Sequence, residues 1–196
     1  MNQLLFIILF ILGLSLLAFF FLKKKAGTKS AIFAVACIIL VGAAYFLVQN
    51  FLISYSLPEE AFLSNPAYRN LSPEVISGDE TALVFGMDHG KQIIVIVEKA
   101  SQRWKIGNTF STKMNNYSLT DGCFATVYHK AGTQDYYIMV SIRSDEEHEI
   151  CDNVGSSFIE TTAFEGAKNY ITHFSGNRED YRVSIDGKDY PLILND

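Results

Sequence analysis

The sequence predicts a transmembrane α-helical hairpin followed by an all-β soluble domain, sandwich-like or a partly open barrel, with α+β as the variant. Three observations lead there. Two long apolar runs without charge stand at 4–22 and 31–53. Four lysines, Lys23, Lys24, Lys25 and Lys29, lie between them. Beyond Gly78, short apolar stretches alternate with turn residues in the manner of strands and hairpins. The chain divides on this reading into an anchor at 1–56, a membrane-proximal connector at 57–77 and a β-rich domain at 78–196.

The first run is long enough to cross a bilayer, since nineteen helical residues rise about 28 Å. A cleaved signal peptide needs basic residues ahead of its apolar core. Met1-Asn2-Gln3 supplies none, and the lysines come afterwards. A retained helix is therefore expected. The positive-inside rule places the lysine loop in the cytoplasm. Both the N-terminus and the C-terminal domain are then extracytoplasmic, in a multi-pass protein of the cell membrane. Gly13, Ser15 and Ala18 suit close packing against Ala36, Gly42, Ala43 and Ala44. Neither run holds an ionisable acid or base, so the pair reads as an anchor rather than a transport path.

Charge separates the two parts. All 21 acidic residues follow Leu57, where they face 12 basic ones, for a net of −9. Such a domain repels nucleic acid.

In the connector, Ser56-Leu57-Pro58-Glu59-Glu60 has the proline and acids of a helix start, and Ser72-Pro73-Glu74 repeats that signal. Asn65-Pro66 breaks the helix between them. The first hairpin is expected at 81–87 and 91–99 around a three-residue loop, Asp88-His89-Gly90, which pairs Phe85 with Ile93 and Leu83 with Val95. Both of its faces are apolar, so it is expected to be buried on both sides. A strand at 103–106 follows, then a polar loop at 108–120. A second hairpin is expected from 123–130 and 135–143, with weaker strands at 157–162 and 168–174. The last hairpin joins 181–185 to 188–194 through Asp186-Gly187, a pair suited to a type I′ turn. It sets Val183 opposite Tyr190 and Tyr181 opposite Leu192. Pro191 cannot donate to a ladder and marks an edge.

Cys123 and Cys151 form a candidate disulfide, permitted outside the cytoplasm; two free thiols are the alternative. The stretch Asp145-Glu146-Glu147-His148-Glu149 lacks the spacing and glycine of a calcium loop and reads as a solvated turn. His89, His129, His148 and His173 have no zinc-ligand spacing. No nucleophile motif or phosphate-binding glycine loop is present. The sequence thus predicts no enzyme, no cofactor and no metal. The many tyrosines either fill the core or form a binding platform.

The two-run layout, Arg103-Trp104-Lys105-Ile106 and the terminal Val183-Ser184-Ile185-Asp186-Gly187-Lys188-Asp189-Tyr190 hairpin together resemble small uncharacterised two-helix membrane proteins of Gram-positive bacteria. The resemblance implies a cell-envelope location and brings no catalytic residues. The expected function is a membrane-anchored, extracytoplasmic interaction or sensory module, its partners the lipid bilayer and an envelope or membrane protein. An accessory subunit of a larger membrane complex, and an envelope enzyme, are the competing readings.

Overall fold

The computed structural model describes residues 36–37, 40–42, 53–106, 112–144, 146–161, 167–176 and 178–194. The chain forms two compact units, Met1–Ile53 and Ser54–Asp196. Within the second unit the described elements are one short helix, α1 (Pro58–Leu63), and twelve strands. Three antiparallel sheets result. Sheet A is ordered β1 (Glu74–Ser77), β2 (Thr81–Asp88), β3 (Lys91–Ala100), β4 (Arg103–Ile106). Sheet B is ordered β5 (Thr112–Thr120), β6 (Cys123–Lys130), β7 (Asp135–Ile142), β10 (Lys168–Ser175), β9 (Ile159–Thr161). Sheet C is ordered β12 (Lys188–Pro191), β11 (Arg182–Ile185), β8 (Ile150–Asp152).

Sheet B is the middle layer, because side chains on alternate positions of its strands enter two different cores. Tyr128, Tyr137, Met139 and Ile171 pack with Leu83, Phe85 and Ile96 of sheet A. From the opposite face, Val127, Tyr136, Ile138, Val140 and Phe174 pack with Tyr181, Val183, Leu192 and Leu194. A third core lies on the outer face of sheet A, where Ala82, Val84 and Val97 meet Ala61 and Phe62 of α1. The β2–β3 hairpin is accordingly covered on both sides, as its two apolar faces predict.

Helix α1 starts where the sequence places it. Pro58 occupies its first turn, and the Glu60 carboxylate accepts from the N–H groups of Ser56 (2.9 Å) and Leu57 (3.4 Å). Tyr55 bridges to Trp104 through paired backbone hydrogen bonds of 2.7 and 2.8 Å, and Arg103 Nη2 donates to the Ser54 carbonyl. The segment before α1 is thereby tied to the edge of sheet A.

The expected transmembrane hairpin is corrected. Among the described residues no helix is long and apolar enough to cross a membrane. Helix α1 has six residues, against the ~20 that a span requires. The fold class is a mainly β structure of three antiparallel sheets. The multi-pass, extracytoplasmic localisation, and with it the membrane character of the chain, loses its structural support. An uncharged run is a necessary condition for a span and not a sufficient one. Both runs lie outside the described residues except at 36–37, 40–42 and 53, and so do Lys23, Lys24, Lys25 and Lys29.

Four local expectations also change. The 72–74 helix start is instead the entry to β1, which pairs Val75 with Val84. The 108–120 loop contains β5, paired with β6 from Thr112↔Lys130 onward. Strand β8 at Ile150–Asp152 was not anticipated. The first hairpin closes through a two-residue turn, His89-Gly90, with φ of 47° and 78°. Its ladder therefore pairs Asp88 with Lys91 and Phe85 with Ile94, one residue away from the three-residue register. The terminal hairpin agrees with its prediction: Val183 pairs with Tyr190, and Asp186 and Gly187 hold φ of 50° and 78°. β12, carrying Pro191, is an edge strand of sheet C.

Candidate functional site

The most elaborate polar cluster centres on Asp135, the first residue of β7, whose side chain is fully buried between sheets A and B. The loop between β1 and β2 lies over it. Its Oδ1 accepts from the Asp79 N–H (3.0 Å), and its Oδ2 from those of Glu80 (2.8 Å) and Thr81 (2.7 Å). The Thr81 hydroxyl adds a bond of 2.9 Å to Oδ2. From β10, His173 Nε2 and Ser175 Oγ reach Oδ1 at 2.8 and 3.1 Å. Gly78 permits the approach, since a Cβ there would sit 2.6 Å from both Asp135 Cγ and His173 Nε2. Burial pushes the carboxyl pKa up, but the bonds from His173, Glu80, Asp79 and Thr81 outweigh it and hold it well below the usual range.

Aspartate, histidine and serine meet here, yet the geometry is not that of a nucleophile. Activation needs the serine hydroxyl to donate to the imidazole. Ser175 Oγ donates instead to Asp79 Oδ2 (2.6 Å) and to Asp135. A carboxylate held far below neutrality and saturated with donors is also a poor general base. The cluster's chemistry is adhesion: one anion on sheet B gathers the backbone of the sheet A loop.

Most of the other sequence candidates serve packing. His129 is buried and stacks on Tyr136 at 4.2 Å, Tyr136 on Phe174 at 5.6 Å, and Phe174 on Tyr181 at 4.6 Å. This column joins sheet B to sheet C, and it uses tyrosines that the sequence left open between core and platform. The Tyr181 hydroxyl donates to Asp152 Oδ2 at 2.9 Å, and burial raises its pKa. Burial also pushes Tyr128 up to about 12. His148 Nδ1 lies 2.7 Å from Asp186 Oδ2, which joins the acidic turn to the terminal hairpin. His89 occupies the β2–β3 turn.

The candidate disulfide is not formed: Cys123 and Cys151 are both free. Cys123 is buried among the sheet B and sheet C core residues. Cys151 pairs with Ser184 and is exposed, because Ile150 and Asp152 take the inward positions of β8. Among the described residues no group of His, Cys, Asp and Glu could hold a metal ion.

An open groove lies where sheet A leaves the end of sheet B uncovered. Phe124, Ser141 and Asn169 stand in one cross-strand row of sheet B. Gly90, Lys91 and Gln92 from the β2–β3 hairpin face them, with Arg143 and Ala167 completing a hollow of about 740 Å³. Phe124 is 40% exposed, and the Arg143 guanidinium lies 5.9 Å from its ring centroid. Gln92 also borders a smaller hollow of about 300 Å³, with Ile94, Ile96, Thr112, Met114 and Tyr128. Its Nε2 is buried with no hydrogen-bond partner. Met114 is 56% exposed on β5. No motif or spacing in the sequence marks Lys91, Arg143 or Gln92. Lys91 and Gln92 are adjacent, whereas Arg143 lies some fifty residues further along the chain, and only the packing of sheet A on sheet B brings them together.

Comparison with known proteins finds no match: no family model fits the chain, and no curated protein or solved structure is similar to it.

Proposed function

We propose that the β domain is a non-catalytic interaction module that binds a protein partner through the groove between sheets A and B. Phe124 carries this reading. It is a large apolar side chain left open at the rim of a concave surface, beside an arginine, and aromatic–arginine pairs are typical anchors of protein interfaces. Gln92 borders both hollows, the larger with Phe124 and Arg143 and the smaller with Met114. The polar cluster at Asp135 supports a binding role over a chemical one. His173 and Ser175 bond to Asp135, and Asp135 also binds the backbone N–H groups of the β1–β2 loop.

The test is site-specific photocrosslinking of the full chain in its native host. A benzophenone side chain replaces Phe124 in one version and exposed Asp189 in another. Discrete adducts from position 124, absent from position 189, are expected. Equal adduct patterns at the two positions, or none at 124, would rule the groove out as the contact surface.

A further inference from the structure

We infer that the groove takes a short acidic peptide segment of the partner, with carboxylates on Lys91 and Arg143 and an apolar side chain against Phe124. This rests on the interaction reading above and names the chemistry of the ligand.

The argument starts from a reversal of sign. Residues beyond Leu57 carry 12 basic and 21 acidic side chains. Among the described residues the groove is lined by Lys91 and Arg143 and by no acid. The nearest acid along β2, Asp88, is the cross-strand neighbour of Lys91 but lies beside His89 Nε2 at 3.6 Å and outside the lining. Two cations thus face a hollow inside a negative domain.

Screening decides what length of ligand this suits. Exposed charges are felt over roughly 8 Å at physiological ionic strength. A short acidic segment seated in the groove lies within that distance of Lys91 and Arg143, while acids elsewhere on the domain are damped. A long polyanion such as RNA would leave the groove and run across the acidic surface, where each further phosphate is repelled.

The neutral lining fits a peptide. The arginine fork accepts a carboxylate through two parallel N–H bonds. Ser141, Asn169 and the partnerless Gln92 amide offer donors to backbone carbonyls. The Phe124 ring supplies an apolar contact beside the charges. A hollow of about 740 Å³ holds a few side chains and not a folded domain.

The test pans a phage library of random twelve-residue peptides against the immobilised full chain. A second target carries Lys91→Glu with Arg143→Glu, and a third Phe124→Ser. All three substitutions lie at the open groove, and matching circular dichroism melts check that each variant folds. Enriched peptides are expected to be net negative with at least one apolar residue. Their binding should fall about tenfold or more on the charge-reversed target, and should weaken as salt rises. Basic or neutral peptides that lose binding on the Phe124→Ser target would overturn the acidic ligand while leaving the interaction reading intact. Peptides bound equally by all three targets, or no enrichment at all, would overturn this inference, and crosslinking at Phe124 then judges the reading beneath it.

Discussion

His173 Nε2 donates to Asp135 Oδ1 at 2.8 Å, one diagonal step across the pairing of β10 with β7. Three successive N–H groups of a loop in another sheet converge on the same carboxylate. The bond therefore belongs to a joint between layers and not only to one ladder.

Replacing Asp135 with asparagine should destabilise the protein by about 2–4 kcal/mol at neutral pH, because a buried anion with several donors is exchanged for a group that must turn an N–H toward them. The sign of the pH effect follows from the depressed folded-state pKa. The carboxylate's stabilisation is complete above its unfolded pKa, about 4, and is lost as pH falls below it toward the folded value. Urea melts should show the gap between parent and variant narrowing below pH ~4. A gap that is constant down to pH 2 would refute this role for the charge.

Gly78 and Gly86 give a paired test of the same joint. A methyl group at Gly78 would meet Asp135 Cγ and His173 Nε2 at 2.6 Å, and neither can retreat without breaking the cluster. At Gly86 the nearest atom is Leu71 Cβ at 3.5 Å, an ordinary contact. Gly78→Ala should cost about 1–3 kcal/mol, whereas Gly86→Ala should be close to neutral. Thermal melts that rank them the other way would show that the loop is not seated on Asp135.

Much of sheets A to C could be read from local pattern. Asp186-Gly187 announced the last hairpin and its register because both residues suit positive φ. The β2–β3 register differs by one from the expected three-residue loop because His89 takes positive φ, 47°, and with Gly90 closes a two-residue turn, a conformation uncommon outside glycine. Strand β5 was missed because Lys113 and Asn115 share its inward-leaning face with Tyr117 and Leu119, so apolar alternation is only half present. In the sequence Asp135 is only the first residue of a predicted strand. Its six donors come from positions 79–81 and 173–175, and no spacing in the chain reports that convergence. The same holds for Lys91 and Arg143 at the groove.

The terminal turn separates backbone strain from packing. Gly187 has φ of 78° and no atom within 4 Å of the position a Cβ would take. Gly187→Val should therefore cost roughly 1–3 kcal/mol through conformation alone. Asparagine at 186 tolerates positive φ better than aspartate, which taken alone predicts a neutral or favourable change. The structure adds an opposing effect, since the Asp186 carboxylate accepts from His148 (2.7 Å) and the Glu149 N–H (3.0 Å). Asp186→Asn should keep the hairpin but loosen the 148–150 segment, visible as faster amide exchange at Glu149. Unchanged exchange there would mean that the His148–Asp186 contact does not hold the acidic turn.

Where the independent folding unit begins is decided by the outer face of sheet A. Ala82, Val84 and Val97 are fully buried there, and Ala61 and Phe62 of α1 are part of what covers them. β1 also supplies the ladder partner of β2. A fragment beginning at Gly78 keeps every later strand but loses both. It exposes that apolar face, at a cost of about 1.5–3 kcal/mol for the Phe62 side chain alone, and turns β2 into a bare apolar edge open to intermolecular pairing. A fragment beginning at Ser54 keeps α1, β1 and the Tyr55–Trp104 bridge. Residues 54–196 should thus be monomeric, with a mainly β circular dichroism spectrum and one cooperative urea transition. Residues 78–196 should aggregate or melt without cooperativity. Should the shorter fragment unfold at the same urea concentration as the longer one, α1 and β1 would be ornaments on sheet A and not part of its core.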